Sequence, residues 1–196
     1  MPDDGPGLFT IGHSNQALDH FLGLLQQHGI EAVADARSVP WSRHVPHFNA
    51  KALGAALAEY AIEYVPFGPD LGGRPEGDQF YDEQGHVLYG RLAASPAFQE
   101  GLDRVLAAAQ TSRIALLCSE EDPARCHRHL LIGRVLRQRG VPVSHIRRDG
   151  RIETEVDLAT SETGEVHQAI LFDDDPQWRS PRPISRRSPP PNPPAP

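Results

Sequence analysis

Arg113-Ile114-Ala115-Leu116-Leu117-Cys118-Ser119-Glu120-Glu121-Asp122-Pro123-Ala124-Arg125-Cys126-His127-Arg128 is the stretch that decides how this chain folds. Its opening, Arg113 to Leu117, is a short apolar run of the kind that forms a buried strand. Asp122-Pro123 reads as a helix start, with the aspartate as N-cap and the proline at the first helical position. Leu130, Leu131, Val135 and Leu136 then recur at helical spacing, which predicts a helix over about 123–139 closed by Gly140. Cys118 therefore falls at a strand end, and Cys126, His127 and Arg128 fall in a helix's opening turns. Free N–H groups and the positive dipole end at such a place bind anions and lower a thiol's pKa.

The same alternation extends outward. Leu8 to Gly12 is a strand running into Gly12-His13-Ser14, with Asn15 as the cap of a helix whose Leu18, Phe21, Leu22 and Leu25 share a face; Gly29 ends it. Ile30 to Ala36 is a second strand. The loop over 37–48 holds Arg37, Arg43, His44 and His47, with Trp41 and Phe48 interleaved. A helix over 51–60 and a strand over 62–67 come next, then a polar, glycine-rich segment from Gly68 to Gly90 with the length of a lid or binding loop. A helix over 96–110 precedes the central strand, and a strand over 141–146 succeeds the last helix. Residues 152–158 read as an irregular edge and 166–172 as a short strand or helix. The pattern predicts one three-layer α/β sandwich over 8–172, a mostly parallel sheet flanked by helices. Residues 1–7 read as a flexible lead, and 173–196 as a disordered Pro/Arg-rich tail.

Composition narrows the function classes. With 196 residues and 39% hydrophobic content the chain builds a proper core, and no apolar run reaches membrane-spanning length. The N-terminus lacks the basic and apolar parts of a signal peptide, and two cysteines are no disulfide framework, so the expectation is a cytoplasmic chain with free thiols. The formal net charge is −7, yet residues 179–196 hold four Arg and no acid, which leaves the body with 26 acids against 15 Lys and Arg. So acidic a body is a poor general binder of duplex nucleic acid, while a local basic pocket is still compatible with it.

The motifs Leu117-Cys118-Ser119-Glu120, Asp122-Pro123 and Cys126-His127-Arg128 resemble the signature of the bacterial domain of unknown function 488 family. Three more segments agree with it in order: Thr10-Ile11-Gly12-His13-Ser14-Asn15, then Asp35-Ala36-Arg37-Ser38-Val39-Pro40-Trp41-Ser42-Arg43 running on to Pro46-His47-Phe48-Asn49, and Leu71-Gly72-Gly73. The resemblance spans roughly residues 8–148. It implies a fold and a site, and it implies no reaction.

In parallel sheets ligands bind beyond the carboxyl ends of the strands. That rule gathers His13, Asp35, Arg37, Ser38, Cys118, Ser119 and Glu120 on one rim, with Arg74 in reach. Cys118 is the candidate nucleophile, or else an inert core thiol. His127 and His13 are candidate acid–bases, or ring hydrogen bonds to loop carbonyls, and Glu120 is a base or an arginine's partner. Arg37, Arg43 and Arg128 are forks suited to phosphate or carboxylate, or are solvated or paired to a structural acid such as Asp35 or Glu120; Ser38 is a substrate-binding candidate beside Arg37, and Gly72-Gly73 is a phosphate-loop signal or only a tight turn. No metal is expected: Cys118, Cys126, His127 and His13 are donors zinc accepts, but no Cys-x-x-Cys or His-x-x-x-His pair exists, and adjacent positions 126 and 127 on a helix point to different faces. The leading reading is a Cys/His-dependent hydrolase or transferase for an anionic substrate: phosphate-bearing, a nucleotide or a modified base. Two alternatives stay open. One is a non-catalytic nucleic-acid-binding module that stacks bases on the 37–48 loop, and the other a metal or redox centre at Cys118, Cys126 and His127. Cofactor and oligomeric state are not legible.

Overall fold

A computed structural model places residues 6–163 and 178–184. Among the described residues six strands form one sheet: β1 (Gly7–Gly12), β2 (Ala32–Asp35), β3 (Glu63–Pro66), β4 (Arg113–Cys118), β5 (Ser144–Ile146) and β6 (Ile152–Thr154), in the order β3-β2-β4-β1-β5-β6. All neighbours are parallel except β5 and β6, which are antiparallel. The chain is thus a single α/β sandwich domain with a mostly parallel sheet.

The central strand β4 shows why the sequence layers this way. Side chains alternate across a strand. Ile114 and Leu116 face one apolar layer, with Phe98, Leu102 and Val105 of α5 (Pro96–Ala108) and Val135 and Leu136 of α6 (Arg134–Gln138). Ala115 and Leu117 face the other, with Phe21, Leu22 and Leu25 of α1 (Leu18–Gln27) and Leu53 and Leu57 of α2 (Ala50–Ala58). Cys118 shares the parity of Ile114 and Leu116, so it enters the α5/α6 layer. Strands buried on both faces need apolar residues at every position, and Ile114 to Leu117 supply them.

From β1 the chain leaves through α1 to β2, and from β4 it leaves through α6 to β5, on the opposite side of the β1–β4 pair. Such a divergence opens a crevice at the carboxyl ends of the two strands. Gly12 is paired with Cys118 there, and His13 and Ser14 donate backbone N–H bonds to the carbonyls of Cys118 and Ser119 at 3.0 and 2.9 Å.

Four stretches differ from the sequence reading. The predicted helix over 123–139 is three pieces: a 3-10 turn Pro123–Arg125 that Asp122 caps, an extended Cys126 (φ −122, ψ 148), and a helix that starts as a π-helical stretch Arg128–Gly133 before α6. A proline start fixed only one turn, because Cys126 turns out of it. The polar 68–90 segment holds α3 (Gly68–Leu71), a 3-10 turn Asp78–Phe80, a Tyr81–Val87 bridge and the start of α4 (Tyr89–Ala93). The expected irregular edge is β6 joined directly to α7 (Glu155–Thr163). Composition predicts no order after Asp173, yet residues 178–184 lie on the body: Trp178 Nε1 donates to Leu130 O at 2.7 Å and Arg134 stacks over the indole. The reading of 166–172 lies outside the described residues. Asn15 does not cap α1; Ala17 is the N-cap, and Asn15 Oδ1 accepts from Arg148. Among the described residues no helix is long and apolar enough to cross a membrane.

Candidate functional site

The rim residues divide into two groups on opposite faces of the sheet. The first group lies on the α1/α2 face. Asp35 and Arg37 are both buried and form a two-pronged ion pair, Nε to Oδ1 at 2.8 Å and Nη2 to Oδ2 at 2.5 Å. Tyr64 donates its hydroxyl to Asp35 Oδ2 at 2.7 Å. Arg37 Nη1 donates to Phe48 O at 2.8 Å and meets His13 Nε2 at 3.1 Å. The other ring nitrogen, His13 Nδ1, donates to Ser14 O at 2.7 Å, so the tautomer that fits both contacts leaves Nε2 as acceptor. Both nitrogens of His13 and all sides of the Arg37 fork are engaged inside the protein. Neither is free to handle a proton or hold an anion as the sequence reading expects; they lock the loop after β2 onto β1.

Burial, ahead of the Arg37 charge, pulls His13 down to about 4, against partial support from the Ser14 carbonyl and Asp35; His47 also faces the ring and lowers it. A histidine depressed below its unfolded value near 6.5 binds fewer protons folded than unfolded, so stability falls as pH drops from 6.5 toward 4. Between pH 7 and pH 5 the expected loss from His13 alone is about 2 kcal/mol. Urea unfolding at both pH values checks this: the wild-type drop should exceed that of His13→Gln by that amount, and equal drops would refute it.

The second group lies on the α5/α6 face. Cys118, Cys126 and His127 are all buried, and their two sulfurs and one ring nitrogen lie within 4.8 Å of one another. His127 Nδ1 is 3.6 Å from Cys118 Sγ and 3.7 Å from Cys126 Sγ. Adjacent helical residues would diverge. These two converge because Cys126 is extended and forms the entry to the helix, its carbonyl accepting from His129 N and Leu130 N at 3.1 and 3.0 Å. Its sulfur accepts the Arg128 backbone N–H at 3.5 Å. The cysteine at the helix N-terminus is thus Cys126 rather than Cys118. Burial pushes the Cys126 thiol up, but the bond from Cys118 and the Arg128 charge outweigh it and hold it low, while the Cys118 thiol is pushed up by the same bond and by burial. Tyr89, from the start of α4, is pushed up by burial and by the two nearby cysteines.

The wall of this cluster explains Gly72-Gly73. A Cβ on Gly73 would sit 2.9 Å from His127 Cγ, and one on Gly72 would sit 2.3 Å from Ser38 Oγ. Glycine is needed for close approach, bringing the loop against the ring. Ser38 Oγ in turn accepts from Arg74 N at 2.9 Å. Arg74 is exposed and its guanidinium has no partner among the described residues. Arg43 faces solvent with Trp41 and His44, and among the described residues its Nε donates to His44. Glu120 contributes backbone, not carboxylate: its side chain is exposed, its N–H supports Cys118, and its carbonyl accepts from Arg128.

Arg128 is fully buried, and among the described residues no carboxylate pairs with it. Its Nη2 donates to Glu120 O and Glu121 O at 2.6 and 2.9 Å, and Nη1 to Thr10 Oγ1 at 2.9 Å. It clamps the loop after β4 onto β1 through Nη1 and Nη2, and its Nε has no hydrogen-bond partner among the described residues. Thr10 continues into a buried chain that the sequence did not announce: Thr10 Oγ1 to His145 Nδ1 at 2.8 Å, His145 Nε2 to Glu155 Oε2 at 3.0 Å, and His129 Nδ1 to the same oxygen at 2.8 Å. Partners as far as 135 residues apart leave no local signal. A shallow cleft of about 600 Å³ beside it is lined by His20, Arg147, Arg148 and Arg151, but Arg147 pairs with Glu121 and Glu153 and Arg151 with Asp149. Its charge is mostly cancelled internally, whereas the sulfur cluster holds His127 Nε2, one of the buried polar atoms with no hydrogen-bond partner among the described residues; Gln16 Oε1, Arg128 Nε, Arg137 Nε and Glu155 Oε1 are the others.

The family described as Domain of unknown function DUF488 matches residues 17–135, which take in the second to fourth strands, Gly72-Gly73 and the whole Cys118–Arg128 stretch. The chain belongs to the DUF488 family. No curated protein and no solved structure matches it. The DUF488 match holds both cysteines and His127, so the cluster lies within the part of the chain that the family defines.

Proposed function

We propose that this DUF488 chain is an enzyme, a Cys/His-dependent hydrolase or transferase of the bacterial cytoplasm, acting on a small anionic substrate such as a nucleotide or a modified base. The observation that carries the reading is the His127 ring, with Nδ1 between two sulfurs and Nε2 buried and unpartnered. An unmet buried polar atom costs about 1–3 kcal/mol, a cost that a ligand relieves when it supplies the missing partner. Cys118 and Cys126 stand at the reacting centre, and His127 Nε2 faces the substrate. Arg74, its backbone held by Ser38, supplies the cation that Arg37 and Arg128 do not. Arg37, His13 and Arg128 keep the frame.

Thermal-shift and turnover assays against nucleoside 5′-mono- and diphosphates test this. At least one of them should stabilise the protein. Arg74→Ala should weaken that ligand about tenfold, the value of one charge-assisted contact, and His127→Gln should abolish turnover. Arg74→Ala and His127→Gln proteins that bind and react as wild type does would sink the reading. If only a single-stranded oligonucleotide binds, with steep salt dependence, a nucleic-acid module using Trp41, Arg43 and His44 takes its place.

A further inference from the structure

We infer that Cys118, Cys126 and His127 hold a zinc ion through two thiolates and His127 Nδ1, with a fourth coordination position left open; this rests on the reading that the cluster is the reacting centre. The geometry is the first ground. A ring nitrogen placed at 3.6 and 3.7 Å from two sulfurs has a single proton or a single lone pair to share, so it can bond only one of them fully at a time. It does match the edge of a tetrahedron around zinc, which for Zn–S near 2.3 Å and Zn–N near 2.0–2.1 Å is roughly 3.5–3.6 Å.

Charge is the second ground. Arg128 places a fully buried guanidinium next to the cluster, with carbonyls and a hydroxyl as partners and no carboxylate among the described residues. Buried thiolates need a counter-charge. One guanidinium balances only one thiolate, whereas a divalent ion neutralises the pair, and the Arg128 backbone N–H already donates to Cys126 Sγ at 3.5 Å. Such N–H bonds to a ligand sulfur are the outer support that metal thiolates use.

The third ground is His127 Nε2. With Nδ1 on the metal, the ring proton is fixed on Nε2, the atom that is buried and unpartnered. It becomes a donor on the far side of the ring from the metal, where a bound substrate can accept from it. Among the described residues no fourth His, Cys, Asp or Glu joins the three. Three protein donors with one open position are the pattern of a catalytic zinc site rather than a structural one. The soft pair of sulfurs selects zinc over magnesium or calcium. The other buried group, His129, His145 and Glu155, differs: both rings already bond Glu155 Oε2 in a chain from Thr10, and Glu155 Oε1, which has no hydrogen bond among the described residues, lies 3.8 Å from Arg137 Nε.

The full chain, purified without chelator under reducing conditions, is analysed for metals by elemental mass spectrometry. One equivalent of zinc is expected, falling at least tenfold in Cys118→Ser and in Cys126→Ser. Should those variants fail to fold, wild-type protein stripped with a chelator is titrated with cobalt(II). Saturation at one equivalent with a thiolate-to-cobalt charge-transfer band supports the site. No metal, no cobalt spectrum and two freely titrating thiols overturn it, and an equivalent of iron or copper overturns the assignment to zinc. If no metal binds yet His127→Gln still abolishes turnover, the zinc inference alone fails. If zinc binds and His127→Gln and Arg74→Ala change neither ligand binding nor turnover, the ion is structural and the enzyme reading fails.

Discussion

Gly12→Ala should be the most damaging small substitution in the chain. A Cβ at Gly12 would lie 1.7 Å from Glu120 O, 2.6 Å from Glu120 C and 2.9 Å from Arg128 Nη2. Two of those atoms are backbone, so no rotamer relieves the clash. Gly12 is also the last residue of β1, paired with Cys118 at the end of β4. To admit one methyl group, the loop after β4 must lift, and Arg128 loses its hold on Glu120 O as it does. Overpacking a core costs about 1–3 kcal/mol when side chains absorb it; a rigid backbone contact places this case above that range, at roughly 4 kcal/mol. Against a total stability of about 5–15 kcal/mol, that lowers the melting temperature by roughly 10 °C or prevents folding. Urea unfolding measures it. A Gly12→Ala protein within about 1 kcal/mol of wild type would mean that the β4 loop does not lie over β1 as described.

Arg128→Met should be nearly as costly, for a different reason. Replacing a buried ion pair by apolar side chains is often neutral, because both charges leave together. Arg128 has no carboxylate partner among the described residues: its acceptors are the Glu120 and Glu121 carbonyls and the Thr10 hydroxyl. Carbonyls of the main chain stay behind when the guanidinium goes. Each buried unmet acceptor costs about 1–3 kcal/mol, so the loss should be about 4 kcal/mol even though methionine recovers part of the volume. Lysine keeps the charge but lacks the fork that reaches three acceptors, so Arg128→Lys should fall between methionine and wild type. Denaturant midpoints of the three proteins give the order. A methionine variant as stable as wild type would show that solvent reaches these carbonyls.

Arg128 and Cys126 also mark where the sequence misleads. Cys126-His127-Arg128 after Asp122-Pro123 looks like one helix, and on one helix the cysteine and histidine diverge. Proline at the first position and an aspartate cap are genuine start signals, and the cap bond from Ala124 N to Asp122 is present at 3.2 Å. They started a single 3-10 turn. Beyond that turn the path of the chain depends on Arg128, whose side chain is drawn under β1 to Thr10, and on Leu131 and Ile132, which pack into the α5/α6 layer. Those long-range contacts turn Cys126 out and restart the helix at the π-helical stretch Arg128–Gly133, a form that recurs at functional sites. Likewise Arg37 and Arg43 look equivalent in the loop, yet one is buried on Asp35 and the other faces solvent.

By itself the sequence determined what local rules control. The period of its apolar residues set the strands and helices, the double-sided burial of Ile114 to Leu117 put β4 at the centre, and the alternation required a mostly parallel sheet with its unusual residues beyond the carboxyl ends. Gly29 and Gly140, at φ +59 and +71, end their helices as their positions require. Only the tertiary structure decided which face each rim residue takes and what is left for chemistry. It placed His13 and Arg37 on the α1/α2 face with Asp35, consumed Arg128 in holding carbonyls, and drew Cys118, Cys126 and His127 together. Local pattern reports a residue's own backbone and burial. Which polar atoms pair, and which are left over, depends on groups scores of residues away that meet only once the sheet has formed.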